Sequence, residues 1–472
     1  MQNYQELGFR CGLEIHQQLE THKLFCKCPT IDSPITATFK RKLRAVASEL
    51  GEIDVAAKYE AEKGNWFAYE KSNENTCLVE LDEEPPHKLN VEALDTALEL
   101  ALLLNAHIPD HTQIMRKIVI DGSNVSGFQR TILIALDGKI KTSRGSVGIT
   151  TICLEEEAAK KIDEGEKEIR YNLGRLGIPL VEVATDDSIK DAEHAKEIAE
   201  LIGMILRSTG RVKRGIGTIR QDINLSIKGS SRVELKGFQD LKSIPKVIEN
   251  EIKRLQSLKE HSPEVRKVEA DGSTTFLRPI PTSARMYPET DFSLIKIDKN
   301  RLKLIELPEL ISEKTIRYEK EYKLNQDLAR SLIKENINIE YFAKKFRDIS
   351  PETIAKVLVE MPKEIKARYN LDAEQTKQKE FESLLAYLDA GKINTDAVFE
   401  LLIEIAKGRK IETLNISKYK PISDAELKKE VTKIITENKG ASFNAVMGEI
   451  MKKYRGKVDG KKVADIIKDI IK

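Results

Sequence analysis

No stretch of this sequence approaches the roughly 18 consecutive apolar residues that a membrane-spanning helix requires. The opening run, MQNYQELGFRCGLEIH, has no apolar core of the kind that directs secretion. Cysteine is scarce, five in 472 residues, and forms no even, regularly spaced framework. These absences exclude a helical membrane protein and a disulfide scaffold, and set the expectation of a reducing, cytoplasmic setting. Net charge is also nearly absent: 78 Lys+Arg against 76 Asp+Glu leaves +2, so any contact with nucleic acid has to come from a local patch. No glycine-rich P-loop, no repeat of fixed period and no low-complexity tract is present, which sets aside Walker-type nucleotide binding, solenoids and disorder.

What is present reads as a globular enzyme, 40% hydrophobic and 33% charged, too long for one core. Three domains are expected. Residues 1–300 are dense in short alternating or β-branched runs, GLEIHQQL, QIMRKIVID, SVGITTICLE, IPLVEVAT, TIRQDINLSI and RVELKGF, interrupted by the helical runs VEALDTALELALLLNAH and DAEHAKEIAELIGMILRSTG. This predicts an α+β fold. Residues 301–418 turn to helices such as SPETIAKVLVEMP and NTDAVFELLIEIAKG. Residues 419–472 follow a linker-like KYKPISDAE, and from Pro421 onward 12 Lys+Arg face 8 Asp+Glu, the one basic module.

Strand alternation sorts the polar residues. Glu14, His16 and Gln18 oppose Leu13 and Ile15; Arg220, Asp222 and Asn224 oppose Ile219, Ile223 and Leu225; Arg232, Glu234 and Lys236 oppose Val233 and Leu235. A face of this kind often simply meets water. Glu182 argues otherwise, because it stands inside the apolar run IPLVEVA, where an ionised carboxylate needs a partner or a metal. Glu14, Glu156, Glu182, Asp222 and Glu234, with His16 adjoining, offer the oxygen-rich donors that Mg²⁺ takes, and Arg220, Arg232 or Lys236 would offset charge on a transferred phosphoryl group. The triplet Glu155, Glu156, Glu157 has two readings, a helix start or the end of a strand that feeds the site.

Cys26 and Cys28 make half of a metal knuckle, but the next cysteine is Cys77 and has no CxxC around it; His22 and Cys77 would complete a set only by an unusual arrangement, so the sequence argues against zinc. In the tail, Val446, Ile450 and Met451 form one apolar stripe and Ile466, Ile467, Ile470 and Ile471 another. Between them Lys452, Lys453, Arg455, Lys457, Lys461 and Lys462, broken by Gly456 and Gly460, would suit a phosphate backbone or a solvated face equally.

Taken together, GLEIHQQLETHKLFCKC, LEEEAAKK, LGIPLVEVAT, IRQDINLSI, VELKGFQDL and ARMYPETD resemble the GatB/GatE subunits of tRNA-dependent amidotransferases, from about residue 7 to the C-terminus and including the tail VMGEIMKKYRGKVDGKKV. RKLRAVASELGEIDVAAKYE and TCLVELDEEPPHKLN are similar to the archaeal GatE branch, which acts on glutamyl-tRNA(Gln). The resemblance implies a cradle-shaped catalytic domain, then a helical domain and a tail that grip tRNA. It implies ATP- and Mg²⁺-dependent phosphorylation of the γ-carboxylate of glutamate on tRNA(Gln), then displacement of phosphate by ammonia. It sets Glu14, His16, Glu156 and Glu182 at Mg²⁺ and ATP positions, Glu156 being selected from its triplet on this ground, with Asp222 and Glu234 on the same platform. Lys117 resembles a residue near the point where ammonia arrives.

The chain has neither an amidase Ser-Ser-Lys arrangement nor an asparaginase-like Thr motif. The resemblance therefore implies a glutaminase partner, an asparaginase-like D subunit, in a dimer of heterodimers with a tunnel for ammonia. Two departures stand out. The archaeal branch carries an inserted domain similar to part of aspartyl-tRNA synthetase, where this chain has only SLKEHSPEVRKVEADGSTTF; and Gly174 stands where a more polar residue is expected. Two alternatives stay open: a bacterial-type B subunit, whose second cysteine pair is missing here, and a non-catalytic tRNA-binding scaffold.

Overall fold

The computed structural model describes residues 3–47, 51–238, 240–281, 285–335, 337–437, 442–454, 456–458 and 460–471. They form two compact units, Met1–Leu310 and Ile311–Lys472. The first is α+β and the second helical.

Ten strands of the first unit make one sheet: β1 (Arg10–Gln18), β2 (Ile114–Ile118), β3 (Phe128–Thr142), β4 (Gly145–Glu156), β5 (Pro179–Thr185), β6 (Ile219–Ser226), β7 (Val233–Phe238), β8 (Glu264–Val268), β9 (Thr274–Pro279) and β10 (Met286–Pro288). Their spatial order is β9-β8-β7-β6-β1-β5-β4-β3-β2-β10. All neighbours are antiparallel except β7 with β8. Residues directly paired across antiparallel strands share a face, so the register decides which side chains meet. His16 pairs with Arg220 on one side and Glu182 on the other, Glu14 with Asp222, and Glu155 with Thr131.

The opposite face is apolar. Leu13, Ile15, Ile152, Leu154, Val181, Val183, Ile223 and Leu235 lie in one core with helices α1 (Val91–Leu103), α2 (Ala192–Ser208) and α3 (Ile244–Ser257). Each helix starts as its sequence dictates: the Asn90 and Asp191 side chains accept from the backbone of Ala93 and His194, and α3 has Pro245 in its first turn. A second, four-stranded sheet (Ala37–Arg41, Trp66–Lys71, Glu168–Asn172, Lys160–Glu164) has its own aromatic core around Phe67, Tyr69 and Tyr171.

The charged stretch that replaces the expected insertion is itself structured, supplying β8 and β9 at the edge of the large sheet. In the second unit, SPETIAKVLVEMP is not one plain helix. Pro351–Ala355 and Met361–Tyr369 are α-helical, but Lys356–Glu360 between them winds as a π-turn. Pro362 has no N–H for the Leu358 carbonyl, and the turn before it widens. The tail has its own apolar cluster, Leu427, Val431, Ile434, Val446, Ile450, Val463 and Ile467. It nevertheless belongs to the same compact unit as the helices from Ile311 onward. Among the described residues no helix is long and apolar enough to cross a membrane.

Candidate active site

The polar face of the sheet collects the residues that strand alternation singled out. His16 Nε2 lies 3.0 Å from Glu182 Oε2. Lys117 Nζ donates to Glu155 Oε1 at 2.6 Å and stands 3.9 Å from Glu182 Oε2. On the β6–β7 side, Lys236 Nζ donates to Asp222 Oδ2 at 2.6 Å and to Glu234 Oε1 at 2.5 Å, while the Asn224 amide donates to Glu14 Oε1 at 2.9 Å. Glu182 thus has the partners its apolar surroundings demanded.

The charges do not balance. Burial opposes ionisation of Glu182, but Lys117 and His16 hold its carboxyl far below the usual range. Burial likewise opposes a charged His16, yet the hydrogen bond and charge of Glu182 lift it to about 9. Glu14 is the group left over: burial and the neighbouring Glu182 raise it, against the pull of Lys236. Its carboxylate belongs to two donor sets at once, Glu14, His16 and Glu182, and Glu14, Asp222 and Glu234, each with donor atoms within 4.8 Å of one another. A half-buried carboxylate short of positive charge, with other carboxylates around it, fits a hard divalent cation such as Mg²⁺.

Glu156 lies apart from this cluster. The triplet ends a strand rather than starting a helix, and alternation with Ile152 and Leu154 turns Glu156 to the reverse side of the sheet. There it accepts from the Arg130 backbone N–H at 3.0 Å and pairs with the Arg130 guanidinium, which also donates to Glu289 Oε2 at 2.8 Å. Glu155 takes the place expected for Glu156: it meets Lys117, the Thr131 hydroxyl at 3.0 Å and the Gln129 amide at 3.0 Å. Glu157 also faces front, accepting from Arg220 at 2.9 Å and Gln18 at 3.1 Å. The signal that would have selected Glu155 was already in TTICLEE, whose alternation runs Thr151, Cys153, Glu155. Glu289 and Arg130 carried no such signal, whereas Gln18 stood on the polar face that alternation had already marked. Arg220 is engaged by Glu157, and Arg232 stands exposed on the rim of a cavity of about 570 Å³ at the Glu14 end of β1.

The ligand count that argued against zinc is met by a residue that no motif singled out. Cys26, Cys28, Cys77 and Glu80 bring their donor atoms within 4.8 Å of one another, whereas His22 Nδ1 is turned to the backbone carbonyls of Lys23 and Cys26. A hydrogen bond from Cys26 lowers the Cys28 thiol to about 7. Three thiols and a carboxylate fit a tetrahedral zinc ion.

Gly174 also has a physical reason: a Cβ there would come within 2.9 Å of the Asn75 amide and 3.0 Å of Asn172 Oδ1. Of the tail cations, Lys453 is paired with Glu430 at 2.8 Å, Lys452 and Lys462 are exposed, and Lys457 is half-buried. Arg455 and the Lys461 side chain lie outside the described residues.

A sheet that gathers buried and half-buried carboxylates, an imidazole and two lysines on one face, with charge left uncompensated, is built as an enzyme site rather than as a solvated surface. The chain matches the GatB/GatE catalytic domain over residues 9–303 and the GatB domain over residues 338–471, and it belongs to the GatB/GatE family. It is 38% identical to the E-type subunit of glutamyl-tRNA(Gln) amidotransferase from Methanocaldococcus jannaschii, an alignment covering 100% of this chain and 99% of the relative. The corresponding figures for the same subunit of Archaeoglobus fulgidus are 34%, 100% and 99%, and for that of Sulfurisphaera tokodaii 35%, 99% and 99%. The first of these alignments runs over 626 positions against 472 residues here, so that relative carries sequence with no counterpart in this chain.

Proposed function

We propose that this chain converts glutamate esterified to tRNA(Gln) into glutamine, with ATP as the activating substrate and ammonia as the nucleophile. The observation that supports it is the excess of buried carboxylate around Glu14, which calls for a cation and a polyphosphate rather than for water.

A γ-carboxylate oxygen of the glutamyl ester attacks the γ-phosphorus of ATP, the bond to ADP breaks, and an acyl phosphate forms. Ammonia then attacks the carbonyl carbon, the bond to phosphate breaks, and the amide remains. Lys117, held between Glu155 and Glu182, offers its ammonium to the substrate carboxylate. Glu182 stays ionised between Lys117 and His16 and holds the lysine in place, and the proton that ammonia loses as the C–N bond forms leaves on the released phosphate. Lys236 offsets phosphate charge from the opposite side, and Arg10 and Arg232 at the cavity of about 570 Å³ give the nucleotide an entrance at the Glu14 end. Mg²⁺, held by Glu14 with His16 and Glu182 or with Asp222 and Glu234, would supply neutralisation of the polyphosphate.

The ammonia comes from a glutaminase partner of the asparaginase-like D type in a heterodimeric assembly, delivered out of reach of water that would otherwise hydrolyse the acyl phosphate. The exposed tail lysines Lys452 and Lys462 add contacts to the tRNA backbone.

The purified chain, given ATP, Mg²⁺, ammonium chloride and Glu-tRNA(Gln), should form Gln-tRNA(Gln) without any glutaminase. No amide either in that assay or after addition of a glutaminase partner overturns the reading.

A further inference from the structure

A second cavity, about 490 Å³, opens at the other end of β1, lined by Gln18 and Thr218. Gln18 lies on the same face as His16 and two residues along, roughly 7 Å at a strand rise of 3.4 Å per residue. It donates to Glu157, so the cavity adjoins the catalytic face directly. Ile31, Ile162 and Ile216, drawn from three separate segments, line it although they are 55%, 48% and 100% exposed. Ile216 is held out by its neighbours: Gly215 and Gly217 have φ of +121° and +84°, conformations open to glycine and strained for other residues. Around the isoleucines stand Lys160, Arg175, Lys213 and Arg214 against Glu20 and Asp32. The buried Ser33 hydroxyl on the wall has no hydrogen-bond partner among the described residues.

Apolar side chains presented to solvent among cations match a polymer that exposes flat apolar rings and phosphates together. Paired RNA hides its base faces, so only an unpaired stretch offers both. Resting on the amidation reading, we propose that this cavity receives the unpaired 3′ end of the aminoacylated RNA, with Ile216 and its neighbours against the terminal bases and Lys213 and Arg214 beside the phosphates. The volume suits about one nucleoside with its ester. Nucleotide and RNA end would then enter from opposite ends of β1 and meet at Glu14 and His16.

The test uses the full chain, intact tRNA(Gln), and the same tRNA lacking its unpaired 3′ nucleotides. Truncation should weaken binding to the unaltered chain about tenfold. Ile216→Asp, at a side chain with no packing role, should bind intact tRNA about tenfold more weakly and lose nothing further on truncation. Arg214→Ala should act in the same direction. Unaltered affinity of Ile216→Asp for intact tRNA, or a full further loss on truncation, overturns the proposal; so does a loss of binding to the glutaminase partner with tRNA affinity unchanged, which would make the surface a protein interface. Amide formation by the unaltered chain is measured in parallel: absence of amide alongside the shared truncation loss counts against the reaction while supporting the RNA-end site.

Discussion

At the end of β4 two consecutive glutamates enter ion clusters on opposite faces of one sheet. On the reverse face Glu156, Arg130, Glu289 and Arg116 alternate in sign, every carboxylate is hydrogen-bonded, and Phe128 lies against both guanidinium groups at 4.5 and 5.1 Å. On the front, Glu155 and Glu182 share Lys117, but Glu14, Asp222 and Glu234 share only Lys236. Burial is similar; balance is not. A paired buried cluster fixes structure, whereas one left short of positive charge is poised to take a cation and a charged substrate.

Substitutions on the two faces break or sharpen that contrast. Glu182→Gln removes an ionised acceptor from the front and should lower amide formation at least about a hundredfold while leaving the chain folded. Amide formation at the unaltered rate would remove Glu182 from the site. Glu156→Gln, one residue from Glu155, should do the reverse: roughly 3 kcal/mol of lost stability in denaturant unfolding, because Arg130 loses a charged partner, with turnover per folded molecule little changed. If Glu156→Gln proved as damaging to turnover as Glu155→Gln, the two faces would not be functionally distinct.

The smallest effect is on pH dependence. Folding raises His16 from its ordinary 6.5 to about 9, so its protonated form stabilises the folded chain. That contribution is full below about 6.5 and is lost as pH rises through about 9. Unfolding followed with chelator present should show stability falling across this window, and His16→Gln should flatten the fall. An equal slope in both proteins would assign the pH dependence to other groups.

Much of this site was legible before the fold was known. Period-two alternation in EIHQQ, RQDIN and RVELK identified faces, and Glu182 inside IPLVEVA announced a partner it could not name. The same rule, applied through TTICLEE, separates Glu155 from Glu156, whereas the resemblance to a family had selected Glu156, which the fold turns toward Arg130. The cysteine set stayed at three ligands in the sequence for another reason: Glu80 is a common residue, 52 positions from the CKC pair, and no local pattern marks it as a neighbour of the thiols.

Sequence by itself determined the alternation of faces, the helix starts at Asn90, Asp191 and Asn394, and the family, because these depend on nearest neighbours and on ordered motifs. Tertiary structure alone decided that Lys117 reaches Glu155, that Arg130 and Glu289 neutralise Glu156, that Glu80 joins three cysteines, and that Ile31, Ile162 and Ile216 surround one cavity. Strand order and register bring together residues tens to more than a hundred positions apart, and charge balance, which separates a structural cluster from a reactive one, exists only after they have met.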